Sequence, residues 1–138
     1  MRMLRVLAAV GALALAGAAV AEDKVIYHFD AGLAQATKGL RNIRNHLEVD
    51  PKAKIVVVAH ADGVDFLMTG AMDANKNPYS VIVEDLKSQG VTFEVCRITL
   101  RNRKLDPKQF IPEVDFTASG VQRITHLQQH EGYAYLKP

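Results

Sequence analysis

The sequence predicts a three-layer α/β/α sandwich built on a parallel sheet of five strands. Short apolar segments alternate with amphipathic segments of helical period from residue 24 onward, and short loops join them. Residues 55–59 are apolar at every position, as in a parallel strand that helices cover on both faces. The order of the strands is left open, with the flavodoxin-like order 2-1-3-4-5 as one candidate.

The first half of the domain predicts two strands, over residues 25–27 and 55–59. Asp30 is predicted to cap the helix between them, which ends at Asp50-Pro51. Asp62 is predicted to cap a short helix that runs through Met68. The inward stripe of the long helix is predicted to be Leu33, Ala36, Leu40, Ile43 and Leu47.

The second half of the domain is predicted to form two helices and three strands. Asn77 is predicted to cap a helix that ends at Gly90, and Ser119 a helix that ends at Gly132. Residues 91–95 alternate apolar and polar, which predicts a strand with one face toward solvent or a partner, and 97–108 read as a basic loop. Further strands are predicted over 114–117 and 133–136. The inward positions of the helices are predicted to be Tyr79, Ile82, Val83 and Leu86, then Val121, Ile124 and Leu127.

Residues 1–21 have the pattern of a secretory signal peptide. Arg2 and Arg5 precede an uncharged run rich in Ala, Leu and Val, and 19–21 form a small-x-small cleavage site. The run is shorter than the about 20 residues that a membrane span needs. We therefore predict export to the periplasm, a single mature domain over residues 22–138, and no membrane association after cleavage.

The charge balance predicts no nucleic-acid partner. The whole chain carries 17 Lys and Arg against 15 Asp and Glu, but Arg2 and Arg5 belong to the predicted signal peptide. The mature domain is therefore neutral and has no basic excess with which to bind phosphates. No cofactor is predicted either, because the chain lacks a flavin-phosphate loop, a G-x-x-x-x-G-K-[ST] motif and a C-x-x-C pair.

Candidate functional residues follow three of the predicted strands. His28, His60 and Cys96, the single cysteine, stand at their carboxyl ends, where ligands bind in open α/β sheets. Asp30 and Asp62 each lie two residues after a histidine. Arg97 and Arg101 are placed to lower the thiol pKa and to bind an anion. The alternative is structural: a buried cysteine that acts as a small hydrophobe, with histidines and aspartates at helix starts.

The sequence resembles the DsrE/DsrF-like family, in particular its small secreted branch. The resemblance spans about residues 24–137. Its stretches are Lys24–His28, Gly39–Leu47, Lys54–His60, Gly90–Cys96 with Thr99-Leu100, and Glu131–Leu136. It implies a three-layer sandwich with a mainly parallel five-stranded sheet, and assembly as a homotrimer or hexamer. In the sulfur-relay members one cysteine near the end of a middle strand carries a persulfide, and Cys96 matches that position. Arg103-Lys104-Leu105 departs from the family's Arg-Gly-aliphatic stretch.

The leading hypothesis is a periplasmic sulfur carrier or sulfurtransferase-like protein. Cys96, His28 and His60 would act on a sulfur donor, either a protein or a small sulfur compound, with Arg97, Arg101, Asp30 and Asp62 around it. The alternative is a module of the same fold without turnover, which binds a ligand or serves assembly. Two histidines and a thiol could bind copper or zinc, but no metal site is predicted.

Overall fold

The computed structural model describes Gly17 and residues 20–138. The predicted signal peptide over residues 1–21 therefore lies almost wholly outside the described residues. In the part that is described, no helix is both long and apolar enough to cross a membrane.

The predicted fold class is confirmed: the described chain forms an α/β domain around one sheet of five parallel strands. The strands are β1 Lys24–Phe29, β2 Lys54–Ala59, β3 Thr92–Cys96, β4 Asp115–Thr117 and β5 Ala134–Leu136. The helices are α1 Leu33–Val49, α2 Tyr79–Ser88, α3 Arg97–Arg103 and α4 Gly120–Glu131, with 3₁₀ helices Ala61–Leu67 and Pro107–Gln109.

The strand order is β4-β3-β2-β1-β5, so the candidate order 2-1-3-4-5 was wrong. From β1 to β4 each new strand is added on the same side of its predecessor. The last connection runs back across the sheet and places β5 beside β1. Since crossovers between parallel strands are right-handed, the reversal puts α4 on the face opposite α1 and α2.

The two faces of the sheet are packed unequally. On one face, the α1 face, 23 buried residues of the described chain form a single apolar cluster that includes Phe29, Phe66, Phe93 and Leu86. On the opposite face, the α4 face, the buried apolar cluster has five residues: Ile26, Val56, Val58, Ile124 and Leu127. Polar side chains occupy the remainder of the α4 face.

Several local predictions were wrong. Residues 97–103 form α3 rather than a loop, and Leu100 packs from it into the main core. The α1 cap is Gly32, while the Asp30 carboxylate pairs with Lys137. Asp62 lies inside a 3₁₀ helix that begins after His60, and its side chain makes no cap.

Two residues that were predicted to point inward, Leu33 and Val121, are exposed. The residue that precedes α2 is Pro78 rather than Asn77.

The polar positions of β3 do not face open solvent. Glu94 accepts hydrogen bonds from Nε and Nη2 of Arg123 on α4, at 2.8 and 3.0 Å. Its side chain is 13% exposed, so α4 covers this position. The alternation in β3 therefore marks the α4 face, where an ion pair takes the place of apolar packing.

Candidate active site

Cys96 lies at the junction between β3 and α3, where it is the residue that precedes the helix. Its side chain faces α4, and the residue is 4% exposed. It nevertheless lines an open cavity of about 440 Å³ at the carboxyl edge of the sheet. The thiol is therefore largely desolvated but can be reached from the cavity.

The pKa of the Cys96 thiol is lowered from its ordinary value. Burial is the largest single effect and raises the pKa, but several hydrogen-bond donors together outweigh it. They are the backbone N–H groups of Gly120, Thr99 and Ile98 and the Thr99 hydroxyl. The Ala61 N–H donates to Thr99 Oγ1 at 2.9 Å, which leaves the hydroxyl proton free to point at the sulfur. The thiolate is thus held by neutral donors rather than by the basic side chains of residues 97–104.

Gly120 permits this close approach of α4. A β-carbon at Gly120 would lie 3.3 Å from the His60 β-carbon, tighter than ordinary packing, and 3.4 Å from the Cys96 β-carbon, in van der Waals contact. The Ser119 hydroxyl accepts from the Gln122 N–H at 3.4 Å and caps the helix, as predicted from the sequence. The first residue of α4 therefore brings its N–H group to the Cys96 thiol.

The two predicted histidines are in contact. Their Nε2 atoms lie 2.6 Å apart, and the rings stack with centroids 4.7 Å apart. His28 Nδ1 lies 2.6 Å from the Tyr135 hydroxyl on β5. Burial, followed by the neighbouring His60, lowers the pKa of His28, which favours the neutral ring. Tyr135, His28 and His60 thus form a hydrogen-bonded chain from an exposed strand to the Cys96 cavity.

The basic residues at the site differ from those predicted. Arg97 stacks its guanidinium on the Phe116 ring, 5.0 Å from the centroid, and Arg101 is exposed. Neither lines the cavity. Arg103 does, and it donates to the Asp65 carboxylate at 2.7 Å and to the Ala61 carbonyl at 3.0 Å.

The two predicted aspartates occupy different environments. Asp62 lines the cavity with its side chain 73% exposed, 3.8 Å from Arg103. Asp30 lies on the His28 side, and its hydrogen bond to Lys137 lowers the pKa of its carboxyl group. His28, Asp30 and His60 have ligand atoms within 4.8 Å of one another, as a cation site requires, and Cys96 is not in this group. These groups already bond to one another or to Tyr135 and Lys137.

Comparison with known proteins places this chain in a family. The model of the DsrE/DsrF-like family matches residues 9–138, nearly the full chain. The chain belongs to the DsrE/DsrF-like family. The family points to sulfur-relay chemistry in general, and Cys96 is the last residue of β3.

Solved structures agree with the family assignment. The chain is 32% identical to a protein of unknown function, MTH1491 from Methanobacterium thermoautotrophicum, with a TM-score of 0.74 over 85% of this chain and 100% of that one. It is 14% identical to the ychN protein from E. coli, with a TM-score of 0.64 and the same coverage, which shows a shared fold. No protein of curated function matches the sequence closely enough to count as a relative.

Sequence reasoning missed three residues of this site, Thr99, Gly120 and Tyr135, and it expected Arg103 only as one of several cations near the thiol. Thr99 and Arg103 were placed in a loop, because residues 97–105 have no clear apolar stripe of helical period. Gly120 follows the predicted cap Ser119 directly, so its N–H group could have been expected at the start of α4. Tyr135 could not be assigned, because its contact with His28 depends on β5 lying beside β1.

Proposed function

We propose that this protein is a periplasmic sulfur carrier, or a sulfurtransferase-like protein, that holds sulfur as a persulfide on Cys96. One observation supports this most: the single cysteine lines an open cavity, and hydrogen-bond donors around its sulfur lower the thiol pKa. The thiolate is the nucleophilic form of cysteine, so this environment favours attack on a sulfur donor. Membership of the DsrE/DsrF-like family supports the same class of chemistry.

In the proposed reaction the Cys96 thiolate attacks the outer sulfur of a hydropersulfide, R–S–SH. A bond forms between Sγ and that sulfur as the S–S bond of the donor breaks, and the electron pair leaves on R–S⁻. The proton of the new Cys96–S–SH group then passes to R–S⁻, which gives a persulfide anion and R–SH. No oxidant is consumed, because one S–S bond breaks as another forms and the oxidation state of the transferred sulfur does not change.

The surrounding groups have distinct roles in this proposal. The N–H groups of Gly120, Thr99 and Ile98 stabilise the thiolate and then the persulfide anion. His60 lines the cavity and can carry the proton to the leaving thiolate. His28 sets the ring position of His60 and connects it to Tyr135.

Intact-mass spectrometry tests the proposal. The reduced protein, incubated with an alkyl hydropersulfide, should gain one sulfur, about 32 Da, as a persulfide on Cys96. Cys96→Ser should stay folded and gain nothing, while His28→Ala and His60→Ala should slow the gain without abolishing it. A folded wild-type protein that gains no sulfur from the donor would rule the carrier mechanism out.

The alternative functions predict different results. If Cys96 is only structural, a thiol reagent should modify it after denaturation and not before. If the domain is a metal-binding module, elemental analysis of protein purified without a His tag should find stoichiometric metal. The carrier proposal expects reaction in the folded state and sub-stoichiometric metal.

We also propose that the protein is exported and works in the periplasm. The support is the pattern of residues 1–21, which has a charged start, an apolar run and a cleavage site before Glu22. Amino-terminal sequencing of protein from its native host should therefore begin at Glu22. A chain that begins at Met1 in the membrane fraction would show that the segment is an anchor.

Assembly as a homotrimer or homohexamer is the last part of the proposal. The support is the thin apolar layer of the α4 face, which a single helix covers. Light scattering at micromolar concentration should return a multiple of the mature chain mass. A monomer mass under these conditions would overturn this part.

A further inference from the structure

The cavity beside Cys96 has few charged lining residues for a site proposed to handle sulfur anions. Only two of its lining residues carry a formal charge, Asp62 and Arg103. The remaining lining includes the apolar side chains of Ala61, Ile98 and Val121. Ile98 is 37% exposed and Val121 is 60% exposed, so apolar surface borders the cavity.

The positive charge of Arg103 is already neutralised within the protein. Its Nη1 atom donates to Asp65 at 2.7 Å, donates to the Ala61 carbonyl at 3.0 Å, and lies 3.8 Å from Asp62. Two carboxylates therefore face one guanidinium, which leaves one negative charge in excess. A Cys96 thiolate adds a second negative charge, and the donors that stabilise it are backbone N–H groups and a hydroxyl rather than cations.

The other cations of this segment do not restore the balance. Arg97 is stacked on Phe116, and Arg101 and Lys104 are exposed and do not line the cavity. A doubly charged donor would thus approach the thiolate without a free cation to offset repulsion. An uncharged donor with an aliphatic group would meet no such barrier and could contact Ile98 and Val121.

We infer that this cavity selects sulfur donors by charge: it accepts uncharged organic hydropersulfides, disfavours singly anionic ones and excludes dianions such as thiosulfate. Asp62 and Asp65, the second acting through Arg103, are the specificity-determining residues. This inference rests on the proposed function of Cys96 and adds the class of donor to it. With thiosulfate the excluded step is attack of the thiolate on the outer sulfur, with release of sulfite and formation of Cys96–S–S⁻.

Thiol reagents of opposite charge test the inference without forming a persulfide. Methanethiosulfonates that carry a sulfonatoethyl or a trimethylammonioethyl group are similar in size and form the same kind of disulfide with a thiolate. We expect Cys96 of the wild-type protein to react at least about fivefold more slowly with the anionic reagent, after normalisation to a free thiol, at low ionic strength. The difference should shrink in high salt.

Charge variants locate the origin of the selectivity. Asp65→Asn should free Arg103 and reduce the charge preference strongly, and Asp62→Asn, at an exposed side chain, should reduce it less. Asp85→Asn removes one negative charge from α2, on the other face of the sheet, and is the matched control, which should leave the preference unchanged. In the mass assay, thiosulfate should add no sulfur to the wild-type protein but should add sulfur to Asp65→Asn.

The outcomes separate the two proposals. Equal rates for the two reagents, or a faster anionic one, would overturn the inference, as would unchanged selectivity in both aspartate variants. Persulfide formation without charge selectivity would overturn the inference and leave the proposed function standing. Charge selectivity without persulfide formation from any donor would overturn the proposed function, and with it the assignment of the donor class.

Discussion

The two faces of the sheet differ in what fills them. The α1 face is closed by α1, α2 and a 3₁₀ helix over a large apolar cluster that contains four aromatic rings in contact: Phe29, Phe66, Tyr79 and Phe93. The α4 face has one helix, a small apolar cluster, and polar residues that include His28, Glu94 and Cys96. The difference indicates that the α1 face supplies most of the stability and that the α4 face holds the candidate site.

The order of the strands explains why the two faces differ. Three successive right-handed crossovers place their helices on the α1 face, whereas the single return connection provides the α4 face with α4 alone. One helix cannot cover five strands, so the carboxyl edge beside α4 stays open. The Cys96 cavity lies at this edge, between the start of α4 and the end of β3.

The largest expected effect comes from a matched pair of leucines. Leu86 on α2 and Leu127 on α4 are both 0% exposed, and each belongs to the cluster of its own face. Truncation of a buried leucine to alanine costs about 2–5 kcal/mol of unfolding free energy, depending on how closed the site is. We expect Leu86→Ala near the upper end and Leu127→Ala near the lower end in urea unfolding.

The same pair should separate stability from reactivity. Leu127→Ala loosens α4 and should slow modification of Cys96 in the folded protein, while Leu86→Ala should leave the modification rate unchanged. Equal stability losses together with equal reactivity would show that the two faces are not specialised.

A matched pair of glycines should have a smaller effect on stability and a sharper one on reactivity. Gly120→Ala places a β-carbon against Cys96 and His60, which should shift α4 and remove the Gly120 N–H from the sulfur. We expect the rate of Cys96 alkylation at neutral pH to fall by about tenfold, which corresponds to about 1.4 kcal/mol. Iodoacetamide kinetics with mass detection measure this rate.

The control for this variant lies on the other face. A β-carbon at Gly39 would collide with the Phe29 ring inside the α1 core. Gly39→Ala should therefore destabilise the domain while Cys96 in the folded fraction reacts at the wild-type rate. An unchanged alkylation rate in Gly120→Ala would remove α4 from the explanation of the thiol's reactivity.

A matched pair of tyrosines should give the smallest effects among the variants. Tyr135 bonds His28 on the α4 face, and Tyr27 bonds His46 Nδ1 at 3.0 Å on the α1 face. Loss of either hydroxyl should cost about 0.5–1.5 kcal/mol. Tyr135→Phe should in addition slow persulfide formation severalfold, and Tyr27→Phe should not. If both variants transfer sulfur at the wild-type rate, the hydrogen-bonded chain has no part in the reaction.

Ionisation of the Cys96 thiol should also make the unfolding free energy depend slightly on pH. Because the folded pKa of Cys96 lies below its unfolded value, the ionised thiol stabilises the fold above the unfolded pKa, and this contribution is lost as the pH falls through the folded pKa. The unfolding free energy of the wild type relative to Cys96→Ser should therefore rise with pH over that window. A difference that is flat with pH would contradict the lowered pKa.

The sequence was sufficient for the fold class and for the placement of the three candidate residues. Apolar strands and helical stripes are local signals, and the ends of parallel strands share one edge, so His28, His60 and Cys96 were expected together. Strand order was not readable, because it depends on pairings distant in sequence, and the contact between Tyr135 and His28 was missed for the same reason.

The local electrostatics were the least predictable part. The arginines after Cys96 were expected to lower the thiol pKa, but α3 directs Arg97 onto Phe116, and Arg103 pairs with Asp65. Side-chain direction follows from helix phase, and this segment was taken for a loop. The donors that stabilise the thiolate are backbone N–H groups, which every sequence contains and whose aim is set only by the fold.

The most direct test of the central claim, that the α4 face builds a reactive thiol, is the pH dependence of Cys96 modification in the folded protein. We predict an alkylation rate that rises with pH through a midpoint below the pKa of free cysteine, which is about 8.5. The same measurement on Gly120→Ala should move the midpoint upward. A midpoint at or above the value of free cysteine, or a thiol that reacts only after denaturation, would contradict the account.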